Sequence, residues 1–289
     1  MGLMWDYRGT TPMADRPDGF FADGHFWVRE FVLGRAVAVR MDESGLLTFA
    51  GPEGEFEAGE PPWSLRRAIE AVRSNLDRDR LRNAADDAGA YTFYLLAPLS
   101  IGIEYDFDSL PPALGVDIWD GSAGEYTTLD VTERVFEGIG LWTAPTIERE
   151  VPARDLSPES YELPRSRWAD EQVAGVVFRK KHGGAVRHAR TPFENTTWES
   201  PESAGVPDFD EWLRAHLTAD SARSLLEGTD QSLDSVGIEA ATDVIGAALA
   251  QRRYKSVGQI ADSDPKRFRT AIRDRLVEIR GTEASETAS

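Results

Sequence analysis

Residues 174–190 read AGVVFRKKHGGAVRHAR and carry Arg179, Lys180, Lys181, Arg187 and Arg190, with His182 and His188 between them. The whole chain has a formal charge of −18, so this is a basic island in an acidic protein. It opens on a short β-branched apolar run, the pattern of a buried strand. A strand that ends in cations and a Gly-Gly turn has the donors to hold a phosphate. The plain alternative is a hairpin whose exposed residues are basic. Elsewhere the candidates are thinner. Arg35 and Arg40 flank a strand-like stretch and either face a cleft or are solvated. Glu104, Asp106 and Asp108 form an acidic run, expected to be surface rather than a cation site. Asp117 and Asp120 belong to the strand-like LGVDIWD and are candidates for a polar role. Trp27, Trp119 and Trp142 are expected in the core rather than as stacking platforms.

Several elements must position these residues. Residues 24–50 read as two strands joined by a turn at Asp42 to Gly45, a good hairpin signal. Residues 61–83 read as one helix: Pro61 and Pro62 precede it, and Leu65, Ile69, Val72 and Leu76 recur at spacings of three and four. Residues 91–101 and 114–120 read as buried strands. A short helix is expected over 130–138, capped by Asp130 with Glu133 completing a capping box. Residues 151–170, rich in proline and charge, read as a loop before the 174–190 strand pair. From about 207 onward the periodicity is helical. Ile238, Ala241, Ile245 and Leu249 form an apolar stripe there, which closes the region's own core or docks a partner. The final GTEASETAS is polar and expected to be disordered.

Composition narrows the chemistry. The 289 residues hold 50 Asp plus Glu against 32 Lys plus Arg, and only four of those cations are lysines: Lys180, Lys181, Lys255 and Lys266. Acidity with scarce lysine points to adaptation to very high salt, as in halophilic archaea, where charge serves solubility. Molar salt screens long-range repulsion to about 3 Å, so acidity there does not exclude nucleic acid. It also weakens phosphate contacts by counterion release, which favours short-range binding. With no cysteine, disulfides, thiolate catalysis and Cys-based zinc sites are excluded. His25, His182, His188 and His216 show no metal-ligand spacing, so no metal site is expected. The opening MGLMWDYRG does not read as a signal peptide and no apolar run reaches membrane-spanning length. The expected location is the cytoplasm, with no membrane partner.

Taken together, the blocks resemble the RNA ligase family of covalent nucleotidyltransferases. HFWVREFVLGRAVAVRMDESGLLTFAG is similar to the strand-loop-strand around the family's first motif, E-K-x-D/H-G. YTFYLLAPLSIGIEYDFDSLPPALGVDIWD resembles the middle block, where an F-G-E element precedes a strand ending in F-D-I. AGVVFRKK resembles E-G-V-V-I/F-R, and AVRHARTPFE the final K-x-K strand. The fold this implies is α+β: a nucleotidyltransferase domain of antiparallel sheets with flanking helices over 1–203, a helical C-terminal domain over 204–281, and a disordered tail over 282–289. The family forms a lysyl-AMP adduct from ATP, with magnesium, before joining RNA ends.

The residues that do this are replaced here. Phe31 stands at the nucleophilic lysine and has no nucleophile, and no lysine precedes Lys180. Leu33 replaces the motif's D/H, while Glu30 and Gly34 are kept. Leu96 falls at the F-G-E glutamate and Ala174 at the glutamate of E-G-V-V, which supports metal and nucleotide. The last motif's lysines fall on Arg187 and Ala189, or on His188 and Arg190. Arginine keeps the charge and binds phosphate bidentately, but does not replace every role of lysine. The resemblance therefore implies a non-catalytic protein that binds nucleotide or RNA ends through Glu30, Gly34, Arg35, Arg179, Lys180, Lys181, Arg187 and Arg190, or serves as scaffold for a protein partner in RNA processing. ATP and magnesium are the cofactors it implies, and the remaining residues require neither. The alternative is an active ATP-dependent RNA ligase or end-modifying enzyme with a relocated nucleophile, for which Lys180-Lys181-His182-Gly183 reads as K-x-H-G.

Overall fold

In the computed structural model, residues 5, 7–57, 61–85, 87–181, 183–199, 201, 203, 205–226, 233 and 235–287 are described, the last five by backbone alone. The chain divides into two compact units. The first comprises Met1–Glu60, Ala68–Pro98 and Ile103–Pro201, and the second Pro61–Arg67, Leu99–Gly102 and Glu202–Ser289. The second thus takes in two short segments that the sequence reading assigned to the first. The fold class is α+β, with mainly antiparallel sheets, flanking helices and a helical C-terminal region.

The strands are β1 (Thr11–Pro12), β2 (His25–Glu30), β3 (Gly34–Met41), β4 (Leu47–Gly51), β5 (Gly54–Glu55), β6 (Tyr91–Pro98), β7 (Leu114–Asp120), β8 (Glu125–Tyr126), β9 (Trp142–Thr143), β10 (Thr146–Pro152), β11 (Gly175–Lys180) and β12 (Ala185–Ala189). They form two sheets in the first unit. One runs β1-β12-β11-β2-β10 and the other β5-β4-β3-β6-β7-β8, with β9 beside β7. Among the described residues only the β1–β12 and β7–β9 pairings are parallel. Residues 24–50 therefore form three strands rather than two. The chain leaves one sheet after Glu30 and enters the other at Gly34, and the apolar Phe31-Val32-Leu33 between them is fully buried. An unbroken apolar run hides such a crossover, because burial on all sides looks the same in either sheet.

Helices α1 (Trp63–Asn75) and α2 (Arg78–Ala84) replace the single helix expected over 61–83. The break falls where the Asp77 carboxylate accepts the Arg80 N–H at 2.9 Å and caps a new helix. Helix α3 (Leu129–Gly138) starts from Thr128, not from Asp130, and no side chain caps it. Glu133 is turned away from the helix start and instead bonds Thr146 Oγ1 at 2.6 Å and Arg149 at 2.7 Å. Strand β10 takes the first two residues of the expected 151–170 loop, and its charged TIEREVP gave no strand pattern because four of its side chains are exposed.

The second unit holds α4 (Phe209–His216), α5 (Ala219–Leu226), α6 (Ile238–Arg252), α7 (Tyr254–Ser263) and α8 (Pro265–Thr287). Ala241, Ile245 and Leu249 are buried, with Ile238 packed beside them, in a core shared with Phe209, Leu213, Phe268 and Ile272. The apolar stripe thus closes this unit's own core. The backbone of α8 is helical through Thr287, into the stretch expected to be a disordered tail; alanine and glutamate there favour helix propagation. Among the described residues, no helix is long and apolar enough to cross a membrane.

Candidate functional site

Alternation decides which cations meet. In the five-stranded sheet Arg29 lies opposite Val177, and Val177 opposite Arg187; one step along, Trp27 lies opposite Arg179. A strand's side chains alternate between faces, so Arg29, Arg179 and Arg187 share one face, and Phe31 follows Arg29 onto it. That face meets Asp117 of β7, from the other sheet of the same unit. Arg179 ion-pairs with Asp117 Oδ1 and donates to the Val116 carbonyl at 3.3 Å. Arg8 reaches the same oxygen at 2.9 Å and donates to the Gly183 carbonyl at 2.8 Å. Arg29 donates to the carbonyls of Ala144 at 2.6 Å and Val116 at 3.3 Å. Arg187 donates to the Glu194 carbonyl at 2.9 Å and to Thr10 Oγ1 at 3.3 Å.

The cluster is buried: Asp117 is 0% exposed, and Arg29, Arg179 and Arg187 are 3–4% exposed. Burial pushes the Asp117 carboxyl up to about 7, against the downward pull of Arg8 and Arg29. Burial also lowers the Arg29 guanidinium, opposed by the nearby Glu133 and Asp117 charges, and lowers Arg187, opposed by Glu199 and Asp15. Nε of Arg8, Arg29 and Arg187 and Oδ2 of Asp117 are buried without a hydrogen-bond partner among the described residues. Cations outnumber carboxylates at this point of an otherwise acidic chain. Such a setting favours an anion with several acceptor oxygens.

Aromatic rings line the remainder. The Phe31 ring lies 5.5 Å from that of Trp198, and the Arg187 guanidinium sits 5.6 Å from the Phe31 centroid. Tyr7 is stacked on Tyr94 at 4.8 Å and faces Trp198 at 6.4 Å with nearly parallel planes. Trp5 meets Tyr7 and Tyr94 edge-on, and Arg8 lies 4.0 Å over the Tyr126 ring. The Tyr7 hydroxyl is buried and has no partner among the described residues, and that burial raises it well above the usual phenol range.

The candidates from sequence separate into two groups. Phe31, Leu33, Leu96 and Ala174 are all buried and apolar. Leu33 donates its N–H to the Tyr105 hydroxyl at 2.9 Å. Arg179 and Arg187 enter the filled cleft where this sheet face meets β7 of the other sheet; Lys180, Lys181 and Arg190 pair with carboxylates elsewhere. Lys180 pairs with Asp23 at 3.1 Å over the rings of Phe20 and Phe26, Lys181 with Glu150 at 3.7 Å, and Arg190 with Glu171 at 2.9 Å. Glu30 alternates with Arg29 onto the opposite face, as Lys180 does with Arg179, and accepts from Ser166 Oγ at 2.6 Å; burial raises its carboxyl and the Ser166 bond opposes the rise. Gly34 pairs with Pro98, and a side chain there would run into the Ala97 carbonyl. Arg35 lies opposite Ala97 and alternates to the face away from Ala36 and Leu96. His182, and with it the K-x-H-G reading, lies outside the described residues. Tyr7, Arg8, Arg29 and Trp198 were not among the sequence candidates. The alternation of HFWVREF does place Arg29 on the face of Phe31, but nothing local marks Tyr7 or Arg8.

Magnesium does not fit this cleft. Asp117 is engaged by two guanidiniums, the positions expected to carry further carboxylates are Leu96 and Ala174, and no group of three potential ligands occurs among the described residues.

Compared with solved structures, the chain is similar to a mutant RNA ligase of Naegleria gruberi with ATP and Mn, at 14% identity over 66% of this chain and 57% of that one, with a TM-score of 0.49. It is similar to the same organism's RNA ligase with PPi at 12% identity, the same coverage and a TM-score of 0.49. The chain thus spans 57% of the length of these solved chains. No family model and no curated protein matches it.

Proposed function

We propose that this chain is an RNA ligase-type protein that binds nucleotide or RNA ends and forms no lysyl-AMP. The observation that carries this reading is Phe31. The sequence resemblance puts the nucleophilic lysine there, and the phenylalanine is fully buried beside Trp198 and Arg187. A fully packed aromatic offers no lone pair to phosphorus and leaves no room for an amine. Lys180, the alternative nucleophile, is turned to the other side of the sheet, against Asp23. Arg29, Arg179 and Arg187 retain what binding needs: fixed cationic forks in a dry cleft. Adaptation to high salt belongs to the same proposal. Recognition there depends on short contacts of this kind, because long-range attraction is screened.

The test is incubation with α-labelled ATP and a divalent metal in molar KCl, followed by a denaturing gel and intact mass. The expected result is no covalent AMP on folded protein, with ATP or 5′-phosphorylated RNA retained reversibly and released by Arg187→Ala. A covalent adduct would overturn the proposal in favour of the active enzyme, and peptide mapping would begin at Lys180 and Lys181.

A further inference from the structure

The first unit's cleft is filled by residues that come from far away in sequence. Trp5, Tyr7 and Arg8 precede the first strand. They nevertheless lie among Tyr94, Asp117, Tyr126, Gly183 and Trp198. Their chemistry divides in two. Tyr7 supplies a flat ring held between Tyr94 and Trp198. Arg8, next to it, bridges the carboxylate of Asp117 and the Gly-Gly turn after β11. We propose that Trp5 and residues 7–12 are a built-in plug, which holds the place of a nucleotide's ring and phosphate in this cleft and must withdraw before nucleotide binds. This rests on the nucleotide-binding reading given above and adds its regulation.

Three observations indicate a segment that can leave. First, its strand pairing to the sheet is short. Strand β1 contributes only two residues, Thr11 opposite Val186 and Pro12 opposite Arg187, in a parallel pairing at the sheet edge. Short parallel edge pairings are among the least stable parts of a sheet. Second, it leaves polar atoms unmet. Among the described residues the Tyr7 hydroxyl and Arg8 Nε are buried without partners, a cost that withdrawal into water removes. Third, the docked form depends on a glycine, so a side chain there weakens it. Gly9 holds φ at +58°, and a side chain there would come within 2.5 Å of Glu199 Oε1. What replaces the segment must restore the ring stack and compensate the arginines that Arg8 leaves with Asp117. A nucleotide offers both in one molecule, a flat base and an anionic phosphate.

The absence of cysteine allows a clean test. Thr11→Cys with Val186→Cys places one cysteine on each member of a paired position, so oxidation locks β1 to the sheet and reduction frees it in the same polypeptide. ATP binding is then measured by calorimetry in molar KCl for the oxidised and reduced forms, for the parent, and for Gly9→Ala. Limited trypsin digestion with intact mass follows cleavage after Arg8 in each. The expected result is ATP binding about tenfold tighter in the reduced form than in the oxidised one, tighter in Gly9→Ala than in the parent, and ATP-enhanced cleavage after Arg8. Equal ATP affinity of oxidised and reduced forms overturns the plug and leaves the binding reading standing. No ATP binding by any form, each shown folded by circular dichroism, overturns the binding reading and the plug with it.

Discussion

The two faces of the five-stranded sheet use similar residues in opposite ways. On the cleft face, Arg29, Arg179 and Arg187 are buried and spend their donors on carbonyls and Asp117. On the other face, Phe26, Val28, Val176 and Phe178 form an apolar cluster, while Lys180 reaches the exposed Asp23 and Arg190 the partly exposed Glu171 at its margin. The difference follows from desolvation. A guanidinium is weakly hydrated and its planar fork matches several acceptors at once, so it survives burial; an ammonium is kept near water. Every cation committed to the cleft is therefore arginine, in a chain with only four lysines.

Removing Asp117, the carboxylate that Arg8 and Arg179 share, breaks this comparison most severely. Asp117→Ala leaves Arg8 and Arg179 without their shared acceptor in a dry site. Breaking a buried pair by deleting one partner costs about 3–5 kcal/mol, and that is the loss expected in urea unfolding. A loss under about 1 kcal/mol, the range of exposed pairs, would mean that water reaches the cluster. The expected order of damage is Asp117→Ala above any single substitution on the sheet's other face.

Arg29→Lys is the sharper probe of why arginine is there. Lysine keeps the charge but loses the fork that reaches the Ala144 and Val116 carbonyls together. Unmet buried acceptors cost about 1–3 kcal/mol, so a stability loss in that range is expected despite conserved charge. A neutral outcome would show that charge alone, not geometry, holds the strands at this point.

Glu30 tests the opposite face by pH. Its folded carboxyl is raised above the ordinary 4.5, with burial the main cause. The folded state then holds the proton more tightly than the unfolded state. The group's contribution is greatest below the unfolded value of 4.5 and is lost as pH rises through the folded one. Glu30→Gln keeps an acceptor for Ser166 Oγ and should remove that downward slope, read from urea midpoints at a series of pH values. The effect is smaller than the previous two because the Ser166 bond already offsets part of the burial. An unchanged slope would assign the pH dependence to other groups.

Much of this architecture was legible in the sequence, for identifiable reasons. LGVDIWD is a buried strand to its exact ends as read, because an apolar run bounded by turn residues has few other uses. The basic island resolves into β11 and β12 as its Gly-Gly turn implied. Period-two alternation then selects Arg179 and Arg187 for the cleft and sends Lys180 and Arg190 elsewhere, although a reading by charge alone had grouped all four. Two things were not legible. The jump between sheets at Phe31-Val32-Leu33 has no turn residue to mark it. The entry of Tyr7 and Arg8 depends on contacts with Asp117 and Gly183, 109 and 175 positions away. Long-range closure of this kind leaves no local pattern.

Lys180 supplies the weakest and most discriminating prediction. It sits one residue after Arg179 and is offered by sequence as both phosphate ligand and alternative nucleophile. Its ammonium pairs with a carboxylate of Asp23 that is 87% exposed, so solvent screens the attraction. Lys180→Ala should therefore cost no more than about 1 kcal/mol in unfolding and leave ATP affinity unchanged, because the side chain is on the far side of the sheet from Asp117. Part of even that small loss would come from its stem lying over Phe20 and Phe26 rather than from charge. A large fall in ATP affinity would show that nucleotide contacts the apolar-cluster face. It would thereby reverse the assignment of the two faces on which the cleft reading depends.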